Sequence, residues 1–447
     1  MNHDDRPCDG NMGQDDAVED FGDTPNVMRF WLLNHFEPIP TEHEARLMRC
    51  GMLAQRLVKR GHEVVWWTSD FDHYRKRHRN GCDRSIRVNP SLEIRLVKSL
   101  GYRSHVSPRR LVNNHLMGRR WRELVRDEDP PDLLFAGWPI PEFGVEATRY
   151  ARNHEIPAVL DVRDLWPSLW LDLLSPRLRP AGRMLLRRYF EMTRTAMSHA
   201  TAITGVTDSY VDWGIGFSGR TRTPLDRSFG FRFRPMSLDS QDRFEAERTL
   251  EALGYVPDER IDVVFAGAFG RTYGLETVIE AGRRLDAEGS GRLRLVLCGS
   301  GDLWDRMEIA ARDVDSVLVL PRLELRELTY LYEHASLGLA PYRNIDNFRR
   351  NVPNKINEYL EMRLPLVAGV DGAIASMIDD HGIGVRYRSG DGASMADELA
   401  AIAAEPDRLA ALQDRTVRYR ETHLASRDEI DDLASHLESI AAEGRTP

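Results

Sequence analysis

The sequence has few cysteines and lysines and no long apolar run, and these shortages exclude several classes of protein. Its four cysteines are Cys8, Cys50, Cys82 and Cys298. They lie far apart, without the C-x-x-C spacing of a zinc site or the density of a disulfide framework. No H-x-x-x-H or H-x-x-E-H group occurs either, so we expect no metal site and no cofactor. Since no stretch of about 18 apolar residues is present, a transmembrane helix is not expected, and cysteines of this kind are typical of a cytoplasmic protein.

Acidic charge is concentrated at the N-terminus. Residues 1–27 contain eight acidic residues and one arginine, whereas the whole chain has a formal net charge of −9. This composition predicts a disordered acidic tail. The tail lacks the basic start and apolar centre of a signal peptide, and Met28 is an alternative start of translation. The rest of the chain is close to neutral and carries no nucleic-acid reader motif, so we expect no nucleic-acid partner.

A length of 447 residues predicts two domains. Strand-like and helix-like segments alternate throughout, which is typical of α/β domains with parallel sheets. The first unit is a strand at 27–34, a helix from about Thr41 to Arg60 and a strand at 62–68. Thr41 and Glu44 form a T-x-x-E capping box at the start of that helix.

The alternation is interrupted once and then resumes. We expect an N-terminal domain at 28–220, an irregular linker at 221–236 and a C-terminal domain at 237–425. Glycines and prolines break the pattern within the linker. The remaining segment, 426–447, is predicted to be helical.

The stretch PNKINEYLEMRLPLVAG, residues 353–369, carries the strongest functional signal. Lys355 and Glu358 share one face of a predicted helix, and a buried strand follows from Leu364. The positive helix start and the Lys355 ammonium would point into one crevice, which suits a diphosphate. The alternative is a solvated lysine beside a glutamate that complements the helix dipole. Only four of the 61 basic residues are lysine, which favours a specific need for this ammonium.

Four stretches together resemble the retaining glycosyltransferases of family 4, in particular a branch that acts in bacterial polysaccharide assembly. They are RGHEV (60–64), DVRDLWP (161–167), GAFGRTYGLETVIEA (267–281) and the 353–369 run. The resemblance implies a GT-B fold, in which two Rossmann-like domains turn their parallel sheets toward a central cleft. It also implies that the segment 426–447 packs back on the N-terminal domain.

On the donor side, the resemblance implies a nucleotide-diphosphate sugar in the C-terminal domain. Lys355 would meet the diphosphate as a catalytic residue, and Glu358 would bind the ribose hydroxyls. Backbone near Arg322 would hold the base. Gly267, Gly270 and Arg271 would let a loop approach the phosphates, as residues without side chains allow.

On the acceptor side, the resemblance implies a saccharide or a lipid-linked acceptor. Asp164 would contact the transferred sugar or the acceptor and take part in catalysis, and His35 and Arg163 would lie near it. The alternative for Asp164 is a helix cap or a pair with Arg163.

The sequence departs from the family pattern at the expected phosphate ligands. Arg350 stands where a second glutamate is usual, and Ala268 and Tyr273 stand where an arginine and a lysine are common. Arg271, Arg349 and Arg350 could substitute, or could be ordinary surface arginines. A nucleotide-sugar epimerase of the same architecture and a non-catalytic nucleotide-sugar-binding protein stay open as other functions.

Basic and apolar residues are interleaved between Tyr102 and Arg126. The basic ones are Arg103, Arg109, Arg110, Arg119, Arg120, Arg122 and Arg126. Such a run is most often a solvated face. With a lipid-linked acceptor in view, a peripheral contact with an anionic membrane, at its inner face, is the other interpretation.

Overall fold

A computed structural model describes residues 27–42, 47–103, 107–172, 174–230, 233, 235–289, 291–424 and 428–444. The predicted acidic tail, apart from Val27, lies outside the described residues, and so does Glu44 of the predicted capping box. The described chain forms two α/β domains, each with a mainly parallel sheet between layers of helices.

The N-terminal domain contains nine strands and seven α-helices within its described residues. The strands are β1 (Arg29–Leu33), β2 (Glu63–Ser69), β3 (Phe71–Asp72), β4 (Arg77–His78), β5 (Arg84–Asn89), β6 (Leu92–Val97), β7 (Leu133–Trp138), β8 (Ala158–Val162) and β9 (Ala202–Gly205). The helices are α1 (Arg49–Lys59), α2 (Pro108–Leu124), α3 (Pro141–Asn153), α4 (Ser168–Asp172), α5 (Arg179–Leu185), α6 (Arg187–His199) and α7 (Asp208–Ser218), with a short 3₁₀ helix at Val125–Asp127.

Seven of these strands form one sheet in the order β5-β6-β2-β1-β7-β8-β9. The pairs are parallel except for β5, which runs antiparallel to β6 at the edge. β3 and β4 form a separate antiparallel hairpin. The central strands are apolar along their length and buried on both faces, as parallel strands between helices must be.

The start of α1 corrects the sequence prediction. The helix begins at Arg49 and not near Thr41. The reason is a turn at Ile39–Glu42: the Glu42 backbone N–H donates to the Ile39 carbonyl at 3.0 Å, and the Glu42 side chain accepts from the Ile39 N–H at 3.2 Å. A side chain that bonds local backbone in this way competes with helix formation.

The rest of the described chain contains six strands and ten α-helices, of which all but the last helix belong to the C-terminal domain. The strands are β10 (Ile261–Ala268), β11 (Leu293–Ser300), β12 (Val317–Leu320), β13 (Leu337–Ala340), β14 (Leu366–Ala368) and β15 (Gly384–Arg386). The helices are α8 (Ser240–Ala252), α9 (Leu275–Ala287), α10 (Trp304–Ala311), α11 (Leu325–His334), α12 (Asp346–Arg349), α13 (Asn354–Glu361), α14 (Ala373–His381), α15 (Gly392–Ala404), α16 (Pro406–Tyr419) and α17 (Glu429–Gly444), with a π-helical turn at Arg420–Leu424.

The second sheet has the order β12-β11-β10-β13-β14-β15, and every pair in it is parallel. Each sheet separates two apolar clusters, one on each face. Within the described ranges, every helix is too short or too polar to span a bilayer.

The last helix lies on the first domain. Apolar residues of α17, such as Leu433 and Leu437, belong to the same buried cluster as Phe30 of β1. Ion pairs fix its polar side: Arg56 contacts Asp431 at 2.6 Å, and Arg60 contacts Glu438 at 2.6 Å. The chain therefore crosses between the domains twice.

Contacts between the domains occur at the carboxyl ends of the strands. The Tyr210 hydroxyl at the start of α7 donates to Asn347 Oδ1 of α12 at 3.0 Å. Thr207 Oγ1 donates to the Arg350 carbonyl at 2.8 Å. Arg322, after β12, lies over the Tyr74 ring at 5.6 Å from its centroid. The two sheets thus present their carboxyl edges to a shared cleft, where ligands of such sheets bind.

Candidate active site in the cleft between the domains

The predicted donor-side residues lie on three loops at the carboxyl edge of the second sheet. Gly267 ends β10 together with Ala268, Gly270 and Arg271 follow it, and Arg322 follows β12. Lys355 and Glu358 lie in α13, after β13. Because β12, β11, β10 and β13 are consecutive in the sheet, these loops form one edge of the cleft, here called the C-terminal rim.

The Lys355 ammonium contacts the Glu358 carboxylate at 2.8 Å. The Glu358 side chain is 1% exposed and that of Lys355 is 22% exposed. The Tyr332 hydroxyl of α11 also donates to Glu358 Oε2, at 3.1 Å. A fully solvated pair would not bury its carboxylate in this way. The carboxylate therefore lies beneath the rim, and the ammonium occupies the first turn of α13, where backbone N–H groups also favour anions.

Lys355 and Arg322 lie near a common residue, Cys298 of β11. Burial raises the pKa of the Cys298 thiol to about 11, although the nearby charges of Lys355 and Arg322 act in the opposite direction. The Cys298 thiol donates to the Pro321 carbonyl at 3.3 Å. Two of the predicted donor-side cations are thus brought together at the end of β11.

The two glycines of the loop after β10 differ in their surroundings. A Cβ atom at Gly267 would lie 2.8 Å from the Phe265 ring, so packing requires glycine there. A Cβ atom at Gly270 would meet only the Tyr273 ring, at 3.8 Å. The fold of this loop therefore does not require the glycine at 270.

The loop after β13 holds the glycine loop in place and contributes an arginine that the sequence did not indicate. The Gly274 N–H donates to the Pro341 carbonyl at 2.7 Å, and the Arg343 N–H donates to the Thr272 carbonyl at 3.2 Å. The exposed Arg343 guanidinium lies over the same loop, where its Nε donates to the Tyr273 carbonyl at 3.3 Å.

The predicted substitute arginines have different surroundings. Arg271 is exposed on the glycine loop. Arg349 and Arg350 both pair with Asp346 of α12, at 3.3 Å and 2.8 Å. Arg271 and Arg343 therefore flank the glycine loop, although Arg343 also pairs with Glu276, at 3.6 Å.

Arg110, at the start of α2, organises the opposite edge of the cleft, here called the N-terminal rim and defined by His35, Arg110, Asp164 and Trp166. The buried Arg110 guanidinium lies 4.6 Å from the Trp166 ring centroid and 5.5 Å from that of Tyr102. Burial lowers the pKa of Arg110, and the negative charge of Asp164 partly opposes that effect. The sequence showed Arg110 only as one member of a charge run.

His35 follows β1 and is buried against aromatic rings. Its ring centroid lies 3.9 Å from that of Phe36 and 5.1 Å from that of Phe143. Burial lowers the pKa of His35 well below the usual value, and the charge of Arg110 lowers it further. Among the described residues, nothing hydrogen-bonds its buried Nε2 atom. His35 is therefore a neutral imidazole at physiological pH.

Asp164 follows β8 and has an environment unusual for a carboxyl group. Burial raises its pKa to about 6, although Arg110 and a hydrogen bond with Asn347 act in the opposite direction. The next backbone N–H, of Leu165, also donates to Asn347 Oδ1, at 3.3 Å. Asn347 belongs to the other domain, so it links the Asp164 loop to the C-terminal domain. No local sequence signal identified it.

Arg163 is not brought together with Asp164. Its Nε donates to Asp161 Oδ2 at 2.7 Å, and its guanidinium pairs with Glu37. Arg49 completes this four-charge network, with its Nε 3.0 Å from Asp161 Oδ2. Burial alone would raise the pKa of Asp161, but Arg49 and Arg163 outweigh that effect and lower it. The network lies beneath the N-terminal rim.

The cleft thus offers two kinds of chemistry on facing rims. The C-terminal rim presents cations and backbone at a helix start, which suits a diphosphate. The N-terminal rim presents a carboxyl group, a neutral imidazole and aromatic rings, which suit a hydroxylated molecule. Among the described residues, no group of three or more His, Cys, Asp or Glu side chains could hold a metal ion.

Comparison with known proteins relates both halves of the cleft to one activity. The family model described as Glycosyltransferase Family 4 matches residues 49–223, and that described as Glycosyl transferases group 1 matches residues 260–405. No curated protein matches the chain.

Solved structures share the two-domain architecture over nearly the whole chain. The sucrose-phosphate synthase of Thermosynechococcus elongatus has a TM-score of 0.65 at 15% identity, over 93% of this chain and 97% of that one. An α,α-trehalose-phosphate synthase (UDP-forming) from Burkholderia vietnamiensis has a TM-score of 0.63 at 14% identity, over 94% of this chain and 99% of that one. Anabaena HepE in complex with UDP-glucose has a TM-score of 0.56 at 12% identity, over 93% of this chain and 98% of that one. At such identities the likeness concerns the fold, and it confirms the predicted GT-B class.

Proposed function

This chain belongs to the glycosyltransferases of GT-B fold, and from that premise we propose that it transfers a hexose from a nucleotide-diphosphate sugar to a saccharide or lipid-linked acceptor. The transfer proceeds with retention at the anomeric carbon and without a metal ion. Its place is the assembly of cell-surface polysaccharide, on the cytoplasmic side and at the inner face of the membrane. The resemblance of the four sequence stretches to one branch of family 4 supports these finer points.

The Lys355–Glu358 pair at the start of α13 carries the proposal. As the bond between sugar and diphosphate breaks, negative charge develops on the leaving phosphate. The Lys355 ammonium, 2.8 Å from Glu358, is fixed at a helix start where that charge would lie. Removal of one such contact typically costs about 3 kcal/mol of barrier. The nucleotide sugar seen with Anabaena HepE supports a donor of this kind.

In this proposal, the glycines and arginines of the C-terminal rim complete the donor site. Gly267, Gly270 and Arg271 bring backbone and charge to the phosphates, and backbone near Arg322 holds the base. Glu358 Oε2 is already engaged by Lys355 and Tyr332. Besides positioning the ammonium, this carboxylate serves the ribose hydroxyls, as the family resemblance implies.

The N-terminal rim receives the acceptor. Asp164 has a pKa of about 6 and is ionised at neutral pH, so it can accept a hydrogen bond from a sugar hydroxyl. His35 lies on the same rim as a neutral imidazole, and Arg163 lies beneath that rim, paired with Asp161 and Glu37.

Product analysis tests the proposal. The protein is incubated with a panel of nucleotide sugars, with saccharide and lipid-diphosphate acceptors, with or without a chelator, and the products are identified by mass spectrometry and anomeric NMR. We expect a glycoside with the anomeric configuration of the donor, formed equally in chelator. Donor isomers without a glycoside would identify an epimerase. Donor binding without any product would identify a non-catalytic binding protein.

A further inference from the structure

A short helix beside the cleft exposes apolar side chains to an unusual degree. No residue of α5 is buried. Met184 is 81% exposed and Leu185 is 84% exposed, the highest values among the large apolar side chains of the described residues. Leu178, just before α5, is 56% exposed. Exposed apolar side chains that cluster in this way mark an interaction surface.

The same segment is strongly basic. Between Asp172 and Glu191 the chain has five arginines and no acidic residue; they are Arg177, Arg179, Arg183, Arg187 and Arg188. All five are exposed. Three of them interact with acidic residues outside the segment: Arg179 lies 3.8 Å from Asp172, Arg187 lies 2.7 Å from Glu191, and the charge of Arg188 acts on Glu142. We call this segment, residues 175–188, the α5 surface.

The α5 surface adjoins the N-terminal rim. The Trp170 ring of α4 lies 4.5 Å from the Trp166 ring, which Arg110 covers on the rim. Asp172, at the end of α4, faces the other domain: burial raises its pKa and so does Asp346 of α12. The α5 surface therefore lies at the N-terminal side of the cleft mouth.

We infer that the α5 surface docks onto an anionic lipid bilayer, with the arginines at the lipid phosphates and Met184 and Leu185 in the outer acyl region. Basic residues interleaved with exposed aliphatic ones are what such an interface selects. A second copy of the chain would bring five arginines against five, which is repulsive. Nucleic acid would match the charge but would leave Met184 and Leu185 in water.

The inference rests on the proposed function, because docking of the α5 surface on a membrane would bring a lipid-linked acceptor to the cleft. It also relocates the membrane contact predicted at residues 102–126. There, Tyr102, Met117 and Trp121 belong to the core, and the exposed Val112 (49%) and Leu116 (44%) are less exposed than Met184 and Leu185. The arginines of α2 are largely engaged: Arg120 with Asp83 and Glu123, and Arg109 with the Gly101 carbonyl.

Vesicle co-sedimentation of the full chain tests the inference. The vesicles contain phosphatidylcholine alone or mixed with phosphatidylglycerol. One variant combines Arg177→Gln, Arg183→Gln and Arg187→Gln, and another combines Met184→Ser and Leu185→Ser. The matched controls on the second domain are Arg248→Gln, Arg292→Gln and Arg312→Gln together, and Val256→Ser with Ile309→Ser, all at exposed positions.

We expect the wild-type protein and both controls to sediment with the anionic vesicles and not with phosphatidylcholine alone. Each arginine removed should weaken partitioning into anionic vesicles about fivefold, so the partition coefficient of the triple variant should fall on the order of a hundredfold. The Met184→Ser, Leu185→Ser variant should lose roughly tenfold or more. The inference would be overturned if wild-type protein did not sediment with anionic vesicles, or if the control variants lost as much vesicle binding as the α5 variants.

Two further measurements distinguish this inference from the proposed function and from nucleic-acid binding. Transfer to a water-soluble acceptor should be unchanged in all α5 variants; if wild-type protein binds vesicles but transfers no sugar, the proposed function fails and the docking inference stands. A single-stranded DNA oligonucleotide serves as the other polyanion. Should it bind as tightly as the vesicles, with Met184→Ser, Leu185→Ser without effect, the surface would be one for nucleic acid and the inference would be wrong.

Discussion

Each side of the cleft contains an ion pair on a segment that follows a parallel strand, but the two pairs have different surroundings. Arg163, after β8, is held by two carboxylates in a network that includes Arg49. Lys355, after β13, pairs with the almost fully buried Glu358 at a helix start. In the first pair both charges are satisfied by each other within the fold. In the second, the carboxylate is almost fully buried, whereas the lysine side chain is 22% exposed. Position after a strand therefore does not by itself show whether a pair is structural or, as we propose for Lys355 and Glu358, functional.

Removal of the central carboxylate of the first network should give the largest effect. Asp161→Asn leaves Arg49 and Arg163 buried with one carboxylate, Glu37, and loss of one partner from a buried pair costs about 3–5 kcal/mol. We expect the free energy of unfolding, measured in urea, to fall by that amount. Asp379→Asn, which breaks the exposed pair with Arg386, is the control and should cost under about 1 kcal/mol. Equal losses in the two variants would contradict the structural role of the network.

Removal of the ammonium of the second pair should act on the reaction instead. In Lys355→Ala the Tyr332 hydroxyl still reaches Glu358, so we expect a folded protein, although the buried carboxylate loses its cation and some stability is lost with it. The transfer rate should fall on the order of a hundredfold, equivalent to about 3 kcal/mol of barrier. Steady-state kinetics on protein checked by circular dichroism measures this. Lys98→Ala, at an exposed lysine, serves as the control. A folded Lys355→Ala protein with near-normal turnover would remove the main site assignment.

The two sides of the cleft also show which features could be predicted from the sequence and which could not. Strands were predictable because buried parallel strands are continuously apolar. Lys355 and Glu358 were predictable because both lie on one helical face, three residues apart. Arg163 and Asp164 are adjacent, yet one turns to the network and the other to the cleft, and no local pattern separates them.

Residues whose role depends on distant partners could not be found in the sequence. Arg110 looked like one of many arginines until folding placed it against Trp166 and Asp164. Asn347 has no role within α12 and gains one only where the domains meet. The predicted start of α1 was wrong because the Glu42 side chain forms a hydrogen bond with the backbone of a turn, and helical periodicity does not reveal that turn.

Titration of Asp164 should distinguish the N-terminal rim from the network below it. Its pKa is raised to about 6, so the folded protein retains a proton that the unfolded chain releases near pH 4. The contribution of this group to stability is fully present below about pH 4 and is lost as the pH rises through about 6. For Asp161, whose pKa is lowered, the sign is opposite: its contribution is present above about pH 4 and is lost at lower pH.

The measurement is the free energy of unfolding between pH 4 and 7 for wild-type protein and Asp164→Asn. We expect wild-type protein to lose about 2 kcal/mol relative to the variant across this range, after allowance for the partial exposure of the side chain. Parallel curves would show that Asp164 ionises normally. In that case Arg110 and Asn347 would stabilise the carboxylate as much as burial disfavours it.

The smallest effect should come from the two glycines after β10, which sharpen the comparison within the C-terminal rim. Gly267→Ala places a Cβ atom 2.8 Å from the Phe265 ring and should cost about 1–3 kcal/mol in stability. Gly270→Ala meets only the Tyr273 ring, at 3.8 Å, so the stability should stay within about 0.5 kcal/mol. Its effect should fall on donor affinity, about a fivefold loss, equivalent to about 1 kcal/mol. Calorimetry with the donor identified by product analysis measures both variants. If Gly270→Ala binds donor as tightly as wild-type protein, the phosphates do not approach this backbone, and the exposed guanidinium of Arg343 becomes the better anchor for them.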